Sequence, residues 1–305
     1  MSTQSNPIAE SSSSPVTAPA SGTRPFFWSV RRELWEYRFI YLAPLGVGGV
    51  FLIGFLINIT LSGKLRGFSV GTHQFDLVAT PYDIVAALMM LTTMVVNVFY
   101  CADALYGERR DRSILFWKSM PVSDLTTVLA KASIPLAVVP LVAWATAVAA
   151  QWIMLLVSSV AVLASGGSLS ALWMGAPLIR VSLLLLYHLL TAHTLWPAPV
   201  FCWVLLVSSW ARRAPLLWAA LPVVAIGGLE AVVFRSWHFV ALVGSRLVGA
   251  APETASSSPE IFPTNPMTHI TPDRFLANPG VWIGLAVCAI FLALAVRMRH
   301  TREPI

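Results

Sequence analysis

Titratable side chains are rare in the apolar part of this sequence, and their spacing limits the chemistry open to them. His188 and His193 are five residues apart, so they fall on different faces of a regular helix and lack metal-site spacing. Glu230 lies about one turn from the end of an apolar stretch that Arg235 follows. An ionisable group inside a membrane marks a functional site by default, but pairing with Arg235 or snorkelling is the simpler interpretation at this position.

Motifs that mark common active sites do not occur. The sequence has no G-x-x-x-x-G-K-[ST] for a nucleotide phosphate, no H-E-x-x-H for zinc and no G-x-S-x-G nucleophile turn. Asp83 and Asp103 stand at opposite ends of one apolar stretch, roughly 30 Å apart on a helix, and are therefore not an aspartyl-protease dyad. Cys101, Cys202 and Cys288 have neither metal-ligand spacing nor a disulfide framework. We expect no enzyme activity and no cofactor or metal bound by this chain.

The elements that carry these residues are apolar stretches of about twenty residues. Of the 305 residues, 57% are hydrophobic and 11% are charged, whereas soluble domains have about 25% charged residues. Lipid cannot satisfy backbone amides, and barrel strands are shorter and alternate in polarity, so the stretches are helices. The sequence predicts an all-α integral membrane protein with a transmembrane domain over 26–300. Its six spans are predicted at 39–61, 84–102, 134–163, 181–210, 214–234 and 279–296.

Two details of this domain follow from local sequence. The fourth span, about 30 residues, is too long for one straight upright helix, and Pro197 and Pro199 predict a break within it. The segment 235–278 is rich in proline and acidic residues and is too short for a sizeable folded domain.

The distribution of basic residues predicts the orientation. The net charge is +6, and fourteen of the twenty Lys and Arg residues fall on one side if both termini are cytoplasmic. This distribution explains the basic charge without nucleic acid. Residues 1–25, rich in Ser, Pro and Ala, predict a disordered cytosolic tail, and 301–305 form a second short tail. We expect a multi-pass protein of the cell membrane, of the bacterial inner-membrane type.

The segment 26–38 predicts an amphipathic helix before the first span. One face carries Phe27, Val30, Leu34 and Tyr37, and charged residues take the rest. A mixture of Trp and Arg suits a helix in the headgroup layer. The alternative is a cytosolic overhang of the first span.

The loop 106–131, between the second and third spans, is the most informative stretch. A compact apolar patch follows a run of charges, Pro121 interrupts the helix, and Ser123 is placed to cap the next helix. Such a short amphipathic helix suits a groove of a soluble partner. An ordinary interfacial loop with Trp117 among lipid headgroups fits the residues equally well.

This loop resembles that of the six-span membrane subunits of type-2 ABC exporters. The likeness comprises an acidic residue at the end of the second span, a basic and apolar helix, a Pro-Val-Ser break, and a Lys at the start of the third span. Here these features are Glu108, the residues from Arg109 to Lys118, Pro121-Val122-Ser123 and Lys131. The resemblance extends over 26–300 in architecture and is specific in sequence over 106–131. The external segment before the last span is longer and richer in proline than the simplest members need.

The resemblance implies a permease that lines a substrate path and couples to ATP through a partner. It would form a homodimer or a heterodimer with a second permease, contact membrane lipid, and bind two copies of a separate ABC ATPase that supplies the ATP site. A cytosolic coupling helix between spans two and three would transmit the motion. The implied ATPase-coupling residues are Glu108, Arg109, Arg112, Ile114, Leu115, Phe116, Trp117, Lys118 and Pro121. The rival interpretations are an ion-coupled secondary carrier and a non-transporting scaffold of an envelope assembly.

Overall fold

The computed structural model describes residues 23–62, 74–113, 122–164, 166, 168–175, 178–248 and 272–301. Within these ranges the regular structure is entirely helical. The α-helices are α1 (Thr23–Glu36), α2 (Phe39–Ser62), α3 (Gln74–Asp103), α4 (Tyr106–Arg110), α5 (Asp124–Ser133), α6 (Val139–Ala164), α7 (Leu169–Gly175), α8 (Leu178–Leu190), α9 (Ala198–Trp210), α10 (Pro215–Phe234), α11 (His238–Val248), α12 (Pro272–Ala277) and α13 (Pro279–Thr301).

Six helical stretches in the described part of the chain are long and apolar enough to cross a membrane, as predicted. They are Phe39–Thr60, Pro81–Arg110, Asp124–Ala164, Leu178–Leu195, Pro215–Phe234 and Pro279–Thr301. Many of their large apolar side chains are exposed, as on α10, where Val224 and Val232 are open. Apolar surface of this kind is stable against lipid or another subunit, and it indicates a multi-pass membrane protein.

Proline and a cap shape the third and fourth stretches. The Ser123 side chain accepts a hydrogen bond from the Thr126 amide at 3.1 Å, which is the predicted N-cap. A π-helical turn, Ile134–Val138, joins α5 to α6. A second π-helical turn, Thr191–Leu195, ends α8, and Pro197 is the N-cap of α9. The break predicted at Pro197 is therefore present, because proline has no amide hydrogen for the helical ladder.

Helices α9 and α13 pack side by side. The rings of Trp203 and Phe291 have centroids 5.4 Å apart. The Cys202 and Cys288 side chains also meet at this contact, with their Cα atoms 5.5 Å apart. The two cysteines are 86 residues apart in sequence, so their proximity depends on this helix pair.

The N-terminal helix α1 packs its apolar face against one end of the bundle. Val30, Leu34 and Tyr37 contact the core formed by the ends of α3, α5, α9 and α13. Phe27, predicted on the same face, is exposed together with Trp35. The interfacial position of α1 stays a prediction.

Candidate functional site

Charged side chains from four elements meet in the protein interior at the end of the bundle where α1 packs. Each comes from a helix or its end: Arg32 and Glu33 from α1, Glu108 from α4, Asp124 and Lys131 from α5, and Arg299 from α13. We call these six residues the ion-pair network. It is enclosed by the apolar cluster that surrounds Tyr100 and Ile134.

Lys131 is at the centre of the network. Its ammonium nitrogen Nζ lies 2.9 and 3.1 Å from the two carboxylate oxygens of Glu33 and 3.2 Å from Oε1 of Glu108. The Lys131 side chain is fully buried, and the two carboxylates are 1–2% exposed. The Tyr100 hydroxyl donates to Glu33 Oε2 at 2.9 Å. These contacts satisfy the ammonium group within the protein, as a buried charge requires.

Two arginines complete the network. Arg32 Nη2 lies 2.6 Å from Glu108 Oε1 and 2.7 Å from Glu33 Oε1. Burial of the guanidinium opposes its charge, but Glu33 and Glu108 outweigh this effect and raise the pKa of Arg32. Arg299 binds Glu108 through Nη1 and Asp124 through Nε, the latter at 2.9 Å.

The six residues comprise three cations and three carboxylates, and Glu36 adds a further carboxylate 3.6 Å from Arg32 Nε. Separating one partner from such a buried set costs roughly 3–5 kcal/mol, because the remaining charge loses its compensation. Every carboxylate of the network has a cationic partner. Among the described residues, no group of three or more His, Cys, Asp and Glu side chains has the arrangement of a metal site.

Two of the predicted coupling residues point into the protein. Glu108 belongs to the network, and Arg109 is buried. Arg109 Nη1 donates to the Ser209 and Ala211 carbonyls at 2.8 and 3.2 Å, at the C-terminal end of α9. A cation there stabilises the last carbonyls and the negative end of the helix dipole. Tertiary packing turns both side chains inward, and their role in ATPase coupling stays a prediction.

Of the remaining predicted residues, Arg112 is described and exposed, with a backbone φ of 57°. The residues Ile114, Leu115, Phe116, Trp117, Lys118 and Pro121 lie outside the described residues. Both flanks of that segment are described, and both lead directly into the network.

Sequence reasoning missed four members of the network: Arg32, Glu33, Asp124 and Arg299. One signal was available, because Glu33 lies three residues after Val30 and four before Tyr37, on the apolar face of α1. A carboxylate on a buried helix face requires a partner. The identity of that partner was not available, since Lys131 is 98 residues away.

Near the C-terminal end of α10, the Glu230 side chain caps the N-terminus of helix α11. Its carboxylate accepts from the His238 and Phe239 amides at 2.9 and 2.8 Å and from the Ser236 hydroxyl at 2.7 Å. The predicted pairing with Arg235 is not among these described contacts. Glu230 caps α11 instead of pairing with Arg235 because the chain reverses after α10, which brings the unpaired amides of α11 to the carboxylate.

Arg246 of α11 contacts the residues at the break in the fourth span. Its guanidinium lies 4.0 Å from the ring centroid of Trp196 and donates to the Trp196 and Gly280 carbonyls at 3.2 and 2.7 Å. The Trp196 indole in turn donates to the Ser245 carbonyl at 3.0 Å. The α11 helix is thereby tied to both the break and the start of α13.

Comparison with known proteins found no matching family model, no similar curated protein and no similar solved structure.

Proposed function

We propose that this chain is the permease subunit of a type-2 ABC exporter, which forms a substrate path and couples to a separate ATPase. The loop resemblance motivates this function, and one structural observation supports it. The ion-pair network fastens both flanks of the segment 114–121 to the bundle through Glu108 and Lys131.

The network gives the proposed coupling a mechanical basis. Glu108 lies near the end of the second candidate span, and Lys131 lies near the start of the third. Because their charges are buried and interlocked, a displacement of the loop moves both helices together instead of bending the flanks. Arg32 and Arg299 extend the same connection to α1 and α13. Such an arrangement converts closure of an attached ATPase into rigid-body movement of the spans.

The position of the network also supports the proposed topology. The N-terminal helix and the C-terminal end of α13 meet at Glu108. Both described chain ends therefore lie at one end of the bundle, as six spans with two cytoplasmic termini require. The same end carries the basic loops counted by the positive-inside rule.

A co-purification experiment tests the function. The double variant Trp117→Ala with Leu115→Ala is expressed with an ABC ATPase encoded by a neighbouring gene, and the ATPase is recovered from detergent by pull-down. Interface energy concentrates in a few apolar and aromatic anchors, so we expect at least tenfold lower ATPase recovery at equal membrane expression.

The matched control is Trp282→Ala with Leu276→Ala. It removes the same two residue types from exposed positions on α13 and α12. The control should recover the ATPase like the wild-type protein. Equal recovery with both double variants would place Trp117 in the headgroup layer and remove the basis of the proposal.

An ion-coupled carrier is the second candidate, and one observation favours it. Gln151, His188 and His193 are buried within the apolar helices, and neither polar atom of the Gln151 side chain has a hydrogen-bond partner in the described part of the structure. Polar groups at membrane depth are typical of ion pathways. A carrier needs no ATPase, so wild-type protein that never recovers an ABC ATPase would favour this function.

A further inference from the structure

A laterally open groove lies far from the ion-pair network, between α6, α7 and the start of α8. Its volume is about 720 Å³, within the range of ligand pockets. The lining includes Trp152, Trp173, Ile179, Arg180 and Leu183. Along the helical rise, Trp152 is roughly 30 Å from Lys131, so the groove belongs to the opposite end of the bundle.

Two tryptophans form a defined wall of the groove. The Trp173 indole donates to the Ser159 hydroxyl at 3.1 Å, which fixes α7 against α6. The Trp152 and Trp173 rings contact edge to face, with centroids 6.5 Å apart. Tryptophan pairs of this kind are typical of the boundary between hydrocarbon and headgroups.

Arg180 supplies the charge of this otherwise apolar groove. It is the only charged residue among those that line the groove, and no ion pair within the described residues involves it. Ile179 and Leu183 on either side are exposed, so the opening faces the surroundings of a candidate membrane span. An apolar slot with one cation at its mouth is complementary to an apolar chain that carries an anionic head.

We propose that this groove binds one anionic phospholipid from the adjoining leaflet. Its acyl chain would occupy the slot beside Trp152 and Leu183, and its phosphate would bind the Arg180 guanidinium. A free phosphate would leave the apolar lining uncovered. A zwitterionic lipid also carries a phosphate, but its headgroup cation offsets the negative charge that faces Arg180, whereas an anionic headgroup keeps a net negative charge. Arginine matches phosphate in charge and in the geometry of its donors. This inference needs only the six-span membrane assignment, so it stands or falls separately from the exporter proposal.

Native mass spectrometry of the purified full-length chain tests the proposal. Short-chain phosphatidylglycerol and phosphatidylcholine are titrated separately, and the population of the first lipid adduct is measured. We expect phosphatidylglycerol to bind the wild-type protein at least tenfold more tightly than phosphatidylcholine. Arg180→Gln should abolish this preference, and Arg180→Lys should retain most of it because the cation remains.

Arg235→Gln is the matched control. Arg235 is an exposed arginine at the end of α10, outside the groove lining, and its removal changes the net charge by the same amount. The control should keep the wild-type preference for phosphatidylglycerol. Equal affinity of wild-type protein and Arg180→Gln for that lipid would overturn the proposal. A dimer that excludes lipid adducts and separates on Arg180→Gln would assign the groove to a second copy and overturn it too.

Discussion

Replacing Lys131 by methionine removes the central cation of the ion-pair network while keeping most of the aliphatic volume. The ammonium group bridges Glu33 and Glu108, and all three side chains are essentially buried. Solvent screening therefore does not reduce the effect, and the two carboxylates lose one of the two cations that they share, while Arg32 remains. The expected loss is about 3–5 kcal/mol in the free energy of unfolding. The apparent melting temperature should fall by on the order of 10 °C.

A double-mutant cycle separates this electrostatic effect from a packing defect. Glu108→Gln combined with Lys131→Met removes one charge of each sign. It leaves Arg32 with Glu33, at 2.7 Å, and Arg299 with Asp124, at 2.9 Å. The double variant should therefore be more stable than Lys131→Met alone, with a coupling of roughly 1–3 kcal/mol.

The melting temperature of each variant in the cycle is measured by thermal unfolding in detergent. Arg110→Gln is the control. Arg110 forms exposed ion pairs with Asp103 and Asp111, which contribute little to stability. Its melting temperature should equal that of the wild-type protein. The reasoning fails if Lys131→Met melts like the wild-type protein, or if adding Glu108→Gln gives no recovery.

Three further predictions concern topology, activity and the docking of α11. Cysteines introduced at Ser11 and Thr301 should be shielded from an impermeant thiol reagent in intact cells, and a cysteine at Ser257 should react. Labelling at Thr301 would require an odd number of spans. The purified chain should not hydrolyse ATP, since the sequence has no phosphate-binding loop, and turnover in a preparation free of other ATPases would contradict the permease function. A Cβ at Gly227 would overlap with Val240 Cγ2, so Gly227→Ala should displace α11 and lower the melting temperature, whereas adding Val240→Ala should restore it. An unchanged melting temperature of the single variant would show that α11 does not dock there.

The amino-acid sequence by itself determined the helical class, the six apolar stretches and several local features. A run of about twenty apolar residues has few stable alternatives to a helix when backbone groups lack water. Ser123 caps α5 because a hydroxyl satisfies an unpaired helical amide within three residues. The break at Pro197 follows from a missing amide hydrogen. Each of these features depends on chemistry within one turn of the chain.

Only the tertiary structure decided which charges meet. Glu108 and Arg299 are 191 residues apart, and their contact depends on α13 packing against α5 and α9. The inward direction of Arg109, the capping role of Glu230 and the groove at Arg180 have the same origin. Helical periodicity specifies which face of a helix is apolar, but it does not specify which neighbour covers that face. A charged residue on an apolar helix face therefore predicts that a partner exists, but the identity of that partner depends on how the helices pack.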